Sequence, residues 1–195
     1  KKSLSRRGRS SLFSTPDLEP CQRMAWDKDL EQLHRRRELA EAQGGETNVG
    51  RQHAAGRLTV RERIDQLVDP ESFQEIGKTT GVAEYSDNGE LLGLTPAPYV
   101  AGLAKVNGRP IVVGGEDFTV RGGTTARLDR RKGGQGGFSE DLAHEYRIPL
   151  VNLIDGAGGT VTSAKNRGHA VFPGVDSFDR SVDLMGEVPV VGAVL

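Results

Sequence analysis

The sequence predicts an α/β domain, and three observations point that way. The first is a short apolar run, Leu150-Val151-Asn152-Leu153-Ile154, bounded by Pro149 and by Asp155-Gly156. It has the composition of a strand buried on both faces. The second is the order of signals from Tyr99 onward: a hairpin, a strand, a helical pattern, a strand, a helical pattern and a final strand, which is the alternation of an α/β sheet. The third is glycine, 26 of 195 residues, set in pairs between apolar runs, which indicates many tight turns rather than a low-complexity block.

Taken in order, residues 1–20 are Ser/Arg-rich, with no acidic residue before Asp17. They read as a disordered basic tail; the other reading is a mitochondrial transit segment, which shares this composition. Residues 21–195 read as one domain. Met24 to Gln43 predicts a helix with Trp26, Leu30, Leu33, Leu39 and Ala40 as its apolar stripe, acids early, arginines late, and Gly44-Gly45 ending it. Gly50 to Val68 predicts a second helical region preceded by a loop. Thr59 is its candidate N-cap, Leu58, Ile64, Leu67 and Val68 form its buried side, and Asp69-Pro70 stops it. Ser72 to Ile76 alternates as a short strand, and Thr79 to Pro98 reads as a loop or hairpin insert. Asn107-Gly108 between two apolar runs is a strong hairpin signal. Glu116 to Val120 follows as a further strand, with Glu116 and Asp117 as structural or loop-capping groups. Ser139 is a candidate N-cap for a helix running to Tyr146, and Ser177 to Met185 predicts the last helix before the strand Val188 to Leu195.

Composition excludes several function classes. Net charge is −1, so no bulk electrostatic case exists for nucleic acid. The single Cys21 allows no intrachain disulfide framework and no cysteine-based zinc site, and suits a reducing compartment. The four histidines show no metal spacing, and no apolar run approaches the roughly 18 residues of a membrane span. The small-residue turn Gly156-Ala157-Gly158-Gly159-Thr160, at the carboxyl end of a buried strand, is a place for an anion or a thioester oxygen. The alternative is a plain strand-to-loop turn. The basic stretch Arg127, Arg130, Arg131, Lys132, leading into Gly133-Gly134-Gln135-Gly136-Gly137, is either a phosphate-binding patch or a solvated helix face with a loop.

Several stretches carry a resemblance. Gly56-Arg57-Leu58-Thr59-Val60-Arg61-Glu62-Arg63-Ile64 and Leu67-Val68-Asp69-Pro70-Glu71-Ser72-Phe73 resemble the opening of biotin-dependent acyl-CoA carboxylase carboxyltransferase (beta) subunits, as in propionyl-CoA and methylcrotonyl-CoA carboxylases. Val106 to Val113, Asp117 to Thr124 and Pro149 to Gly159 continue it in the same order, so it covers roughly residues 24–195. The resemblance implies a crotonase-like spiral of ββα units, here most of a first, acyl-CoA-binding domain that is incomplete at its C-terminus. It implies transfer of a carboxyl group from carboxybiotin, carried on a partner, to an acyl-CoA. The partners it implies are a biotin carboxylase and biotin carrier subunit and further copies of the chain in a homo-oligomer. By the same token Gly158 and Gly159 would donate to the enolate oxygen, with a second donor expected beyond Leu195. Arg127, Arg130, Arg131, Lys132, Gly122 and Gly123 would hold the CoA moiety. The expected location is cytoplasmic, or the mitochondrial matrix if the N-terminus is a transit segment. The sequence departs from the family where the turn usually reads Asp-Ser-Gly-Gly-Ala-Arg: here an extra small residue follows Asp155 and no arginine does. Two other readings stand beside the carboxyltransferase: a non-catalytic scaffold piece of such a complex, and a related acyl-CoA decarboxylase or hydrolase.

Overall fold

The structure is a computed structural model that describes residues 20–124, 138–156 and 175–195, with side chains from residue 26 and, in the last segment, from residue 179. The chain divides into two units, residues 1–34 and 35–195. Of the first, the described part is helical: it opens α1 (Pro20–Glu41). The helix begins earlier than the sequence suggested, so Asp27, Asp29 and Glu31 do not lie in its first turn. The expected apolar stripe is also exposed at Trp26, Leu30 and Leu33.

In the second unit α1 ends at Glu41, and Gln43, with φ of 54°, turns the chain into α2 (Glu46–Ala54). The region expected as one helix from Gly50 is thus two: α2 begins at Glu46, and α3 (Val60–Leu67) follows Gly56. Thr59 caps α3 as expected. Its hydroxyl accepts the N–H of Glu62, whose carboxylate accepts the N–H of Thr59. This reciprocal box satisfies two amides at the helix start. Ile64 is fully buried, but Val60 takes the buried place expected of Leu58, which is 36% exposed.

Five strands form the main sheet in the order β1-β4-β5-β6-β7. They are β1 (Gln74–Glu75), β4 (Tyr99–Val106), β5 (Arg109–Glu116), β6 (Leu150–Ile154) and β7 (Val190–Val194). The Thr79 to Pro98 insert is a separate hairpin of β2 (Gly81–Tyr85) and β3 (Leu91–Pro96). The β4–β5 hairpin turns at Asn107-Gly108, both with positive φ, and the Asp69 carboxylate accepts both their N–H groups at 2.8 and 2.7 Å. Beyond β5 the pairing becomes parallel: β5 with β6, and β6 with β7. The crossovers carry α4 (Phe138–Tyr146) and α5 (Val175–Met185).

The sheet is packed on both faces. On one, Val60 and Ile64 of α3 meet Val100, Ala104, Ile111, Val113 and Leu153. On the other, Ala143 and Leu184 from the crossover helices meet Val112, Leu150 and Val188. Leu150 and Leu153 are buried on opposite faces, as a central strand requires.

Glu116 to Val120 is not a strand. Glu116 closes β5 and the chain turns at Asp117, which is 2% exposed. The Asp117 carboxylate accepts from the Thr119 N–H at 3.0 Å, the Thr119 hydroxyl at 2.5 Å and the Gln43 amide at 3.2 Å. The Thr119 oxygen in turn accepts the Gly44 N–H, and a Cβ on Gly44 would collide with the Thr119 carbonyl. This knot ties the α1–α2 turn to the end of β5, so Asp117 has the loop-capping role expected of it. Ser139 does not cap α4: it lies inside the helix, 1% exposed, with its hydroxyl on Tyr99.

Two outcomes follow from these contacts. Thr59→Ala should lower stability by about 1 kcal/mol, the usual worth of such a cap, read as a shift in denaturation midpoint. Burial raises the Asp117 carboxyl above its ordinary range, against the opposing bonds from Thr119 and Gln43 and the charge of Arg61. The folded state therefore binds that proton more tightly than the unfolded chain, and its contribution to stability is lost as pH rises through the folded value. The stability of the native protein relative to Asp117→Asn should fall as pH rises above about 4, the ordinary aspartate value. A difference that stays flat with pH would show that the charged form is not disfavoured.

Candidate active site

The carboxyl ends of β5 and β6 lie side by side, and the chain leaves both through polar turns. The β5–β6 ladder stops at Gly115 opposite Leu153. One residue further on, the Glu116 side chain takes over as acceptor and receives the Asp155 N–H at 2.9 Å. The Asp155 carboxylate is bonded by Arg63 of α3 at 3.0 Å. These two side chains are 3% and 10% exposed, so this is a nearly dry ion pair. Gly156 follows with φ of 72°, a conformation that asks for glycine, and among the described residues no atom stands within 4 Å of where a Cβ would be.

Below this end, a polar cluster crosses the sheet. The Tyr99 hydroxyl bonds Ser139 Oγ at 2.9 Å and donates to Asn152 Oδ1 at 3.4 Å. Burial pushes the phenol well above its ordinary range, so it stays protonated as a donor at neutral pH. Gly114 lies against this cluster: a Cβ there would stand 2.6 Å from Ser139 Oγ. A small hollow nearby is lined by Arg61, Glu75, Lys78, Tyr99 and Asp117. Its charges answer one another, since Arg61 grips Glu75 at 2.8 and 3.2 Å and Lys78 reaches Glu41 at 2.7 Å.

Of the residues singled out from the sequence, Gly122 and Gly123 lie in a single 3-10 turn, Arg121–Gly123, after the Asp117 knot. Both have positive φ, which is a reason for glycine that involves no ligand. Gly158 and Gly159, and the basic residues Arg127, Arg130, Arg131 and Lys132, lie outside the described residues. Among the described residues no cluster of three or more His, Cys, Asp or Glu could hold a metal ion, and no helix is long and apolar enough to cross a membrane.

Sequence reasoning missed Arg63, Tyr99 and the inward role of Ser139. Asn152 offered one signal, being a polar residue in the middle of an apolar strand. Arg63 offered none, because an arginine on a charged helix reads as solvated.

Comparison with known proteins gives this end of the sheet a context. The carboxyl transferase domain family matches residues 51–195. The propionyl-CoA carboxylase beta chain of Cereibacter sphaeroides is 31% identical over 172 residues, covering 85% of this chain and 31% of that protein. The methylmalonyl-CoA decarboxylase subunit alpha of Veillonella parvula is 30% identical over 135 residues, covering 69% of this chain and 26% of that protein. A crystal structure of transcarboxylase 12S, a hexamer with methylmalonyl-coenzyme A bound, superposes with a TM-score of 0.62 at 27% identity, over 86% of this chain and 32% of that one. The chain thus spans about a third of the length of the first curated relatives it matches. The fold is of the crotonase-like class, as the resemblance implied. With its family profile matched from Arg51 to the last residue and its sheet superposed on a solved relative, the chain belongs to the carboxyl transferase domain family.

Proposed function

We propose that this chain is the acyl-CoA-binding part of a biotin-dependent acyl-CoA carboxyltransferase. The observation that carries the reading is the family match over residues 51–195. The end of β6 beside β5 in the parallel part of the sheet supports it, because ligands of α/β proteins gather at the carboxyl ends of such strands. Carboxybiotin, held by a partner protein, supplies the carboxyl group and an acceptor for the substrate's α-proton. The chain's own task is to bind the acyl-CoA and to stabilise charge on the thioester oxygen as the enolate forms. Backbone N–H groups of Gly158 and Gly159, just beyond Asp155-Gly156, are the proposed donors. They act without reorganisation if the turn is held in place beforehand. Arg127, Arg130, Arg131 and Lys132 are proposed to meet the CoA phosphates, and Gly122 and Gly123 to let its nucleotide approach the backbone. The carboxylates at the described strand ends, Glu116, Asp117 and Asp155, are all engaged by protein donors, which fits a site that does not use a carboxylate base. A biotin carboxylase and carrier subunit and further copies of the chain complete the proposed assembly, in the cytoplasm or mitochondrial matrix.

The likeness to a methylmalonyl-CoA decarboxylase subunit favours a second reading, in which the same enolate forms as a carboxyl group leaves the acyl-CoA. Turnover assays separate the two: carboxylation of an acyl-CoA by free carboxybiotin supports the first, and release of the carboxyl group from a malonyl-type thioester with no carboxylation supports the second.

Calorimetry with CoA and short acyl-CoAs should show micromolar binding to the chain, and its absence in a folded sample would remove the acyl-CoA assignment. Arg131→Ala with Lys132→Ala should weaken that binding about ten-fold, each lost cation taking a charge-assisted bond with it. Valine at Gly158 or Gly159 should cost about 10²- to 10³-fold in kcat of the full-length protein while the circular dichroism spectrum is kept. Normal turnover in both variants would remove the oxyanion assignment.

A further inference from the structure

We infer that Arg63, Glu116 and Asp155 are positioning residues that set the direction in which the chain leaves β6 for the glycine turn; the inference rests on the carboxyltransferase reading above. A strand end held only by its ladder would be released after Leu153 on the β5 side. Here the side chain of Glu116, the last residue of β5, accepts the next free amide, that of Asp155, at 2.9 Å. On the opposite side the Leu195 N–H donates to the Ile154 carbonyl at 3.1 Å. The Asp155 carboxylate is then fixed from a third direction by Arg63 at 3.0 Å, across 92 residues of sequence.

The composition of this anchor argues for geometry over stability. Replacing a buried ion pair with apolar groups is often neutral or stabilising, so a pair that is only 3% and 10% exposed is weak grounds for stability and better grounds for a defined orientation. The elements that carry it are themselves rigid. Val60 and Ile64 of α3 flank Arg63 and are packed into the core, and the Thr59–Glu62 box closes the start of the same helix. Glu116 is followed at once by the Asp117 knot. A donor must stand within hydrogen-bond reach of an oxygen that is charged only briefly, and a displacement of about 1 Å can cost roughly a hundred-fold in rate. None of the three side chains needs to touch substrate for this.

The test uses the full-length protein with free carboxybiotin and acyl-CoA, comparing Glu116→Ala, which removes the acceptor, with Glu116→Gln, whose amide oxygen can still accept the Asp155 N–H. Expected for Glu116→Ala are a fall in kcat of about 10- to 100-fold, a KM for acyl-CoA within about three-fold, and at least roughly ten-fold faster hydrogen exchange in the segment containing Asp155. Glu116→Gln should recover most of both the rate and the protection. Unchanged kcat in Glu116→Ala, a loss in Glu116→Gln as large as in Glu116→Ala, or a loss matching the fraction unfolded would each overturn the positioning role. If the unsubstituted protein protects the Asp155 segment but turns over no acyl-CoA, the carboxyltransferase reading falls and takes the catalytic part of this inference with it. An unprotected segment in the unsubstituted protein overturns the anchor itself.

Discussion

The parallel pairing of β5 with β6 is the constraint on which the rest of the structure depends. β5 is bonded antiparallel to β4 on its other edge and buried from Ile111 to Gly115, so each residue of that stretch has a fixed space to fill. Val112 and Val113, both at 0% exposure, fill the two faces in turn. Gly114 and Gly115 then leave room where room is needed: a Cβ on Gly115 would stand 2.8 Å from Val60 Cγ2 and 3.0 Å from the Leu153 Cβ. Gly115 lets α3 and β6 approach closely and Gly114 leaves room for the Tyr99–Ser139 pair, at the end of the strand where the candidate site forms. A larger residue at either position would separate the layers and with them the groups that meet at Asp155.

Three carboxylates sit at this end, and the protein treats each differently. Asp117 is buried among neutral donors and its charge is disfavoured. Asp155 is buried against a guanidinium, where charge is matched by charge. Glu116 serves as a surrogate for a ladder carbonyl. An unpaired polar group in such surroundings would be costly, so the full set of partners defines one arrangement of three segments distant in sequence. The Tyr99, Ser139 and Asn152 cluster does the same one layer deeper, joining β4, α4 and β6.

What could be read in the sequence follows from which signals are local. The Asn107-Gly108 hairpin, the Thr59 cap, the strand Leu150–Ile154 and the loop-capping role of Asp117 depend on a few adjacent residues, and the structure shows all four, the strand being buried at Leu150 and Leu153 but exposed at Ile154. The misreadings arose where distant residues decide. Ser139 has the look of a cap before a helical pattern, but a phenol 40 residues away holds its hydroxyl inside the helix. Glu116 to Val120 has strand-forming residues, yet the bonds from Thr119 and Gln43 to Asp117 turn the chain. The apolar spacing of Trp26, Leu30 and Leu33 is helical, as the structure shows, but periodicity alone does not say what a stripe packs against. The glycine turn reads as an anion or thioester site from its residues alone, but which amides donate, and what the basic stretch would meet, come from the resemblance, because a glycine-rich run by itself has no unique partner.

Because Asp155 is pinned, positions in the turn can be counted from a fixed point. In the family pattern Asp-Ser-Gly-Gly-Ala-Arg, glycines fall two and three residues after the aspartate. Here they fall at Gly156, Gly158 and Gly159, one, three and four residues after Asp155. If the glycine pair had moved as a unit, both donors would lie one residue further along the chain, a shift of up to about 3.5 Å that no hydrogen bond tolerates. The position three residues after the aspartate is glycine in both patterns. Counted along the sequence from Asp155, Gly158 therefore matches a family glycine, while Gly159 stands where the family has alanine and Thr160 where it has arginine. On this count the donor proposed at Gly158 would be retained, and the sequence change, the loss of a methyl and of a guanidinium, would fall on the residues that follow it.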